Sequence, residues 1–180
     1  MYKEHTKTFP VIKVQTDIGI SFDYKVAFRR VISPVLQFPV RDVCFLLLHN
    51  KLTTNERLFR IGLRNDPYCE YCPAAETCDI EHYFCSCIRV TRVWRHVKSI
   101  LVSLLKSDVD NWSLINFFMP KNDYENEAVW LVGNYVALIW KELYIHTTDE
   151  LKEEEFFGFL SFKFREDQRG SRIKMCDIVF

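Results

Sequence analysis

Glycine and proline are scarce in this chain, five and six in 180 residues. That removes most of the turn chemistry a strand-and-hairpin fold uses at its corners, and it favours helices. Also missing is any excess of charge: 24 Lys and Arg balance 24 Asp and Glu, so no global field draws the protein to nucleic acid. No run of about 18 uncharged apolar residues occurs, which argues against a membrane span. The opening MYKEHTKTFPVIKVQTD carries charges throughout and lacks the apolar centre of a secretory signal. The expectation is an intracellular protein, nuclear or cytoplasmic, without a membrane partner. In a reducing compartment, paired thiols favour a metal over a disulfide.

What is present is a large apolar share, 48% of residues, with 15 Phe and seven Cys. A chain of this length and composition builds a real core and is no disordered tail. The balanced charge hides an asymmetry. Residues 41–107 hold ten Lys and Arg against seven Asp and Glu, whereas 108–160 hold three against eleven.

Residues 1–21 show weak periodicity and read as an extended lead-in, with KTFPVIKV as a candidate short strand. From Phe22 the pattern turns helical through Val26 and Val31 until Pro34 stops it. A second helix opens at Pro39 and ends near Asn50. Thr53 followed by Glu56 reads as a capping box for a third, with Gly62 as its stop. After Cys87, Val90, Val93, Trp94, Val97, Leu101 and Leu105 recur at helical spacing. NWSLINFFMP gives a short helix, and NEAVWLVGNYVALIWKELYI, apolar nearly all round, a central buried one. Residues 149–168 read as an amphipathic helix with its acidic end first, as the helix dipole favours. The final SRIKMCDIVF reads as a strand or a frayed tail. The fold class expected is mainly α: a lead-in at 1–21, a helical domain around a structural knuckle at 22–107, and a C-terminal helical region at 108–180.

The chemistry concentrates in YCEYCPAAETCDIEHYFCSC, residues 68–87, with five cysteines and a histidine. Cys69 and Cys72 form a pair able to chelate from one turn, and His82 with Cys87 forms a second. The resulting C-x2-C-x9-H-x4-C pattern supplies four ligands and closes a tetrahedron with no place for water, as structural Zn2+ requires. Cys78 and Cys85 are surplus, and either could replace a chosen ligand. A helical course from Glu81 to Cys87 favours Cys87 and turns Cys85 toward the core.

With its flanks, the stretch resembles the zinc-binding domain that follows the reverse transcriptase of non-LTR, LINE-type retrotransposons. The resemblance rests on Phe45-Leu46-Leu47-Leu48-His49, the segment Thr54 to Leu58, Cys69 and Cys72, Glu76-Thr77, Glu81-His82-Tyr83-Phe84, Cys87, and Val93-Trp94. It covers about residues 25–95 and supports Cys87 as the fourth ligand. The loop from Cys72 to His82 is about two residues longer than usual, through the insertion around Cys78. The resemblance implies a domain that helps hold template RNA and target DNA beside a reverse transcriptase.

No polymerase signature of the Tyr/Phe-x-Asp-Asp type is present, and Asp108 and Asp110 lack the surroundings of a nuclease site. No catalysis is expected of this chain itself, and a Mg2+-dependent nuclease remnant is the remotest reading. Arg57, Arg60 and Arg64 can share one helix face, as can Arg89, Arg92, Arg95 and Lys98. Together they could bind phosphates of single-stranded RNA or DNA, with Tyr68, Tyr71 and Tyr83 free to stack on bases. The bland reading is two solvated helix faces. A rival reading is a zinc-stabilised module that docks a reverse transcriptase or other protein through its acidic half. Trp94, Trp112, Trp130 and Trp140 read as core, and Cys44 and Cys176 as small buried hydrophobes.

Overall fold

In the computed structural model, residues 23–145 and 151–169 are described. The lead-in, the C-terminal strand or tail, His5, His146 and Cys176 lie outside them. The described residues are mainly helical and hold no strand. Seven α-helices follow in order: α1 (Tyr24–Val31), α2 (Phe38–Leu48), α3 (Asn55–Arg60), α4 (Thr91–Leu105), α5 (Asn111–Ile115), α6 (Glu125–Trp140) and α7 (Glu153–Arg169). Two single-turn π segments lie at His82–Ser86 and Lys141–Ile145. No helix among the described residues is long and apolar enough to cross a membrane.

Helix α6 is the centre. Its apolar sequence leaves no polar face, so it is buried on all sides, from Ala128 through Val136 without a break. Helices α1, α2, α4 and α5 pack around it. Trp130 and Tyr135 are fully buried there, and each such side chain contributes about 2–3 kcal/mol of burial. One contiguous core joins this helix to Phe84, Cys85 and Cys87 of the knuckle.

Gly133 marks the closest approach on α6. A Cβ there would lie 2.5 Å from Leu36 Cδ2, and Leu36 is fully buried. Helix α7 is tied down by Asp167, only 2% exposed. One of its oxygens accepts from Trp130 Nε1 and the other from Gln37 Nε2, each at 2.9 Å. The buried Arg30 of α1 bonds Glu125 Oε1 at 2.8 Å and the Phe117 carbonyl at 2.6 Å. Phe117 is left-handed, with φ of 63°, at a cost of roughly 1–2 kcal/mol for an L-residue. Its place in the turn that ends α5, together with the Arg30 bond, holds it there.

The ends of α2 and α3 are Schellman turns. At α2, Lys51 N bonds Leu46 O and Asn50 is left-handed at φ 50°. At α3, Leu63 N bonds Leu58 O, Gly62 N bonds Phe59 O, and Gly62 has φ of 75°, as expected of the stop. The expected capping box is corrected by one residue. Thr54, not Thr53, is the N-cap, its hydroxyl accepting from Arg57 N, so the third helical position is Arg57 and Glu56 cannot reach back. Glu56 pairs with Arg60 instead, at 2.8 Å. Adjacent threonines offer the same hydroxyl, and the amide of Glu56 chooses between them by bonding the Cys78 carbonyl.

Asp110 caps α5 through Ser113 N, and Asp108 lies 3.6 Å from Lys98. Both lie in the turn between α4 and α5.

Candidate metal centre

The knuckle begins where Cys69 N bonds Glu76 O and Cys78 N bonds Pro67 O, around an isolated antiparallel bridge between Tyr68 and Thr77. This folds the Cys69–Cys72 turn back on the strand-like return. Helix α3 clamps it through Asn55 Nδ2, which donates to the Tyr68 carbonyl. The second ligand pair sits on the π turn. Its defining bond runs from Cys87 N to His82 O at 2.9 Å, five residues apart. That wide turn is the physical basis of the x4 spacing. In an α-turn the residue sharing the His82 face would be Cys85 or Ser86. Widening to a π turn moves Cys87 there and leaves Cys85 buried in the core.

The ligand atoms of Cys69, Cys72, His82 and Cys87 all lie within 4.8 Å of one another. Cys69 Sγ is 3.8 Å from Cys87 Sγ, Cys72 Sγ is 3.9 Å from Cys87 Sγ, and His82 Nε2 is 3.5 Å from Cys72 Sγ. A tetrahedral ion with bonds of about 2.3 Å to sulfur and about 2.05 Å to nitrogen requires edges of about 3.8 Å and about 3.5 Å. The residues present therefore fit a four-coordinate thiolate and imidazole centre. Cys69, His82 and Cys87 are buried and Cys72 is half-buried.

The surroundings supply what thiolates need. Burial works against the Cys69 thiolate, but the amides of Tyr71 and Cys72 and bonds from His82 and Cys87 outweigh it and hold the group at about 7. Burial pushes the Cys72 thiol up against the amide of Ile88, which lies 3.5 Å from its sulfur. Burial likewise raises Cys87, opposed by the Arg89 amide. A bound cation reverses these penalties by deprotonating the thiols outright.

Two residues that sequence reasoning left without a role orient His82. Glu76 Oε2 lies 2.9 Å from His82 Nδ1, which fixes the ring with Nε2 toward the sulfurs. A carboxylate on the far nitrogen raises ligand basicity. Asp79 accepts from His82 N at 2.8 Å and starts the turn; the D-x-x-H spacing of an N-cap was the available signal. Of the two surplus thiols, Cys78 is buried beside Cys69, with the Asn55 amide on its sulfur, and burial pushes it up to about 12.

The basic residues are less united than expected. Helix α3 ends at Arg60, so Arg64 lies beyond the turn and does not share its face. Arg57 donates to the Asn50 carbonyl, Arg60 pairs with Glu56, and Arg64 with Glu70 and Asp66. Arg89 lies over Tyr71, and Lys98 faces Asp108. Arg92 and Arg95 are exposed on the first turns of α4, with no ion-pair partner among the described residues.

Fold and site together define a small helical protein built on a closed Cys3His knuckle. Residues 23–94 match a family model described as zinc-binding in reverse transcriptase. The matched segment is about two-fifths of the chain. No curated protein and no solved structure matches the chain.

Proposed function

We propose that Cys69, Cys72, His82 and Cys87 bind one structural Zn2+, and that the domain so folded holds single-stranded RNA or DNA beside a reverse transcriptase of the LINE type. The observation that carries the metal assignment is the match of three ligand edges to a zinc tetrahedron, with Glu76 on the far side of the imidazole. Soft sulfur donors with one imidazole favour Zn2+ over Mg2+ or Ca2+. Four protein ligands leave no position for a reacting water, so the role is binding rather than catalysis. Exposed Arg92 and Arg95 and the half-exposed Tyr68 and Tyr71 support nucleic acid as the partner. The nucleus or cytoplasm is the matching location.

Metal analysis of the purified protein tests the first claim; a stable fold with well under one zinc per chain ends it. Titration of labelled single-stranded RNA at two salt concentrations tests the second, because phosphate contacts make affinity fall as salt rises. A protein-docking role is the second reading, favoured by Phe38 and Ile32, 74% and 60% exposed on α2 and beside α1. Salt-insensitive or absent RNA binding turns the choice to it.

A further inference from the structure

Beside the candidate metal centre lie a cation–aromatic pair, Arg89 on Tyr71, and a row of three rings, Tyr83, Trp140 and Tyr144. The Arg89 guanidinium carbon lies 3.9 Å from the centroid of the Tyr71 ring. The Tyr83 ring packs on Trp140 at 5.6 Å, and Trp140 stacks on Tyr144 at 4.3 Å with planes 14° apart. One ring of each group is open: Tyr71 is 41% and Tyr144 49% exposed.

Trp140 ends α6 and Tyr144 lies on the π segment that follows, so two of these five side chains come from outside residues 23–94. Aromatic packing that served only the core would bury both open rings. Here Tyr71 and Tyr144 are left partly in water. Cations flank them. Arg92 and Arg95 follow Arg89 on α4 and are exposed, and Lys141, also exposed, adjoins Trp140.

We propose that these rings are a stacking surface for unpaired bases of single-stranded nucleic acid, with Tyr71 and Tyr144 as its two platforms and Arg92 and Arg95 holding phosphates. It rests on the nucleic-acid reading above and extends that reading to a surface completed by α6. The chemistry selects single strands. In a duplex the base faces are covered by their neighbours, and only edges and phosphates remain, whereas this surface offers ring faces. Stacking on an aromatic tolerates any base, so little sequence preference is expected. A surface drawn from both the knuckle and α6 also requires the folded knuckle, which makes the binding metal-dependent.

The test is fluorescence anisotropy of the zinc-loaded full chain with a short labelled RNA, the same sequence as single-stranded DNA, and a hairpin duplex. Y71A and Y144A should each weaken single-strand binding about tenfold, the worth of one stacked base, while duplex binding stays unchanged. Y71F and Y144F keep the ring and should restore it. Tyr144 lies outside the metal loops, so Y144A decides the matter even if Y71A disturbs the knuckle. Tyrosine dependence with either RNA or DNA supports the stacking surface, and tighter RNA binding adds contact to the 2′-hydroxyl. Wild-type affinity in Y144A, or an equal loss on the duplex, overturns it while leaving the nucleic-acid reading intact. A wild-type protein that binds none of the three probes overturns both.

Discussion

Tyr135, in the middle of α6, donates its hydroxyl to the carbonyl of Phe84 inside the π turn that carries His82. Both groups are buried, and the Tyr135 ring also packs on Trp94 at 5.1 Å. The central helix therefore grips the turn that carries His82 at its backbone, where substitution in the turn cannot remove the acceptor.

The Y135F variant keeps the ring and deletes the donor. It should cost about 1–3 kcal/mol, the penalty for leaving a buried carbonyl unpaired. Thermal unfolding measures that loss. The π turn should also open more often, so transfer of the metal to a chelator should be faster than in wild type. A variant with wild-type unfolding and transfer rates would show that the bond carries nothing.

Glu76 acts through His82. With Nδ1 bonded to a carboxylate at 2.9 Å, the imidazole is held in the tautomer that presents Nε2 to the sulfurs. E76Q keeps the size but removes the charge, and metal affinity should drop by about 10–100-fold. Competition with a chromophoric chelator reads this directly. The fold should survive, because Glu76 is half exposed and anchors nothing in the core.

Cys85 is buried in the core and is not among the four side chains that come together. C87S should fail to hold stoichiometric zinc, and its knuckle should lose protection from proteolysis, since binding energy and folding energy are shared in such sites. C85A should keep one zinc per chain and lose only about 1–2 kcal/mol through the cavity it leaves in the core. Metal content of the two variants, measured together, distinguishes Cys87 from Cys85. Zinc lost from C85A and kept by C87S would reverse the assignment.

Helical periodicity revealed the central helix α6 and the long helix α4 because both depend on local spacing. The Cys and His spacing likewise marks the four candidate ligands that the structure brings together. The π turn was less legible: H-x4-C names its ends, but only the bond between His82 and Cys87 shows how the chain widens to join them. The cap of α3 slipped from Thr54 to Thr53 because two hydroxyls in a row carry the same signal. That choice is made by a contact from Cys78, more than twenty residues away. Sharing the α3 face would carry Arg64 past Gly62, the stop of that helix, a conflict visible in the sequence itself. Tyr135 and Trp140 look like any core aromatics until their partners in the π turn are known.

Gly133 lets α2 and its preceding turn close on α6. An added methyl would meet Leu36 Cδ2 at 2.5 Å and Val40 Cγ1 at 3.3 Å. Leu36 is fully buried and has no solvent to retreat into. G133A should therefore cost about 1–3 kcal/mol despite alanine's better helix propensity. Denaturant unfolding measures it, and a stabilised variant would mean that the α2–α6 contact is looser than these distances require.

The last prediction separates the two groups of arginines. Arg57, Arg60 and Arg64 are already engaged by a carbonyl and by carboxylates, so contact with phosphate must first break those bonds. Arg92 and Arg95 have no such competitor among the described residues. For a single strand, each phosphate contact contributes roughly 0.7 to the slope of log affinity against log salt. The R92A/R95A double variant should therefore flatten that slope by about 1.4. The triple alanine variant at Arg57, Arg60 and Arg64 should change it less per residue removed. Both variants leave the metal ligands untouched, so equal zinc content is the control. A steeper loss in the α3 triple would move the phosphate contacts to that helix and away from α4.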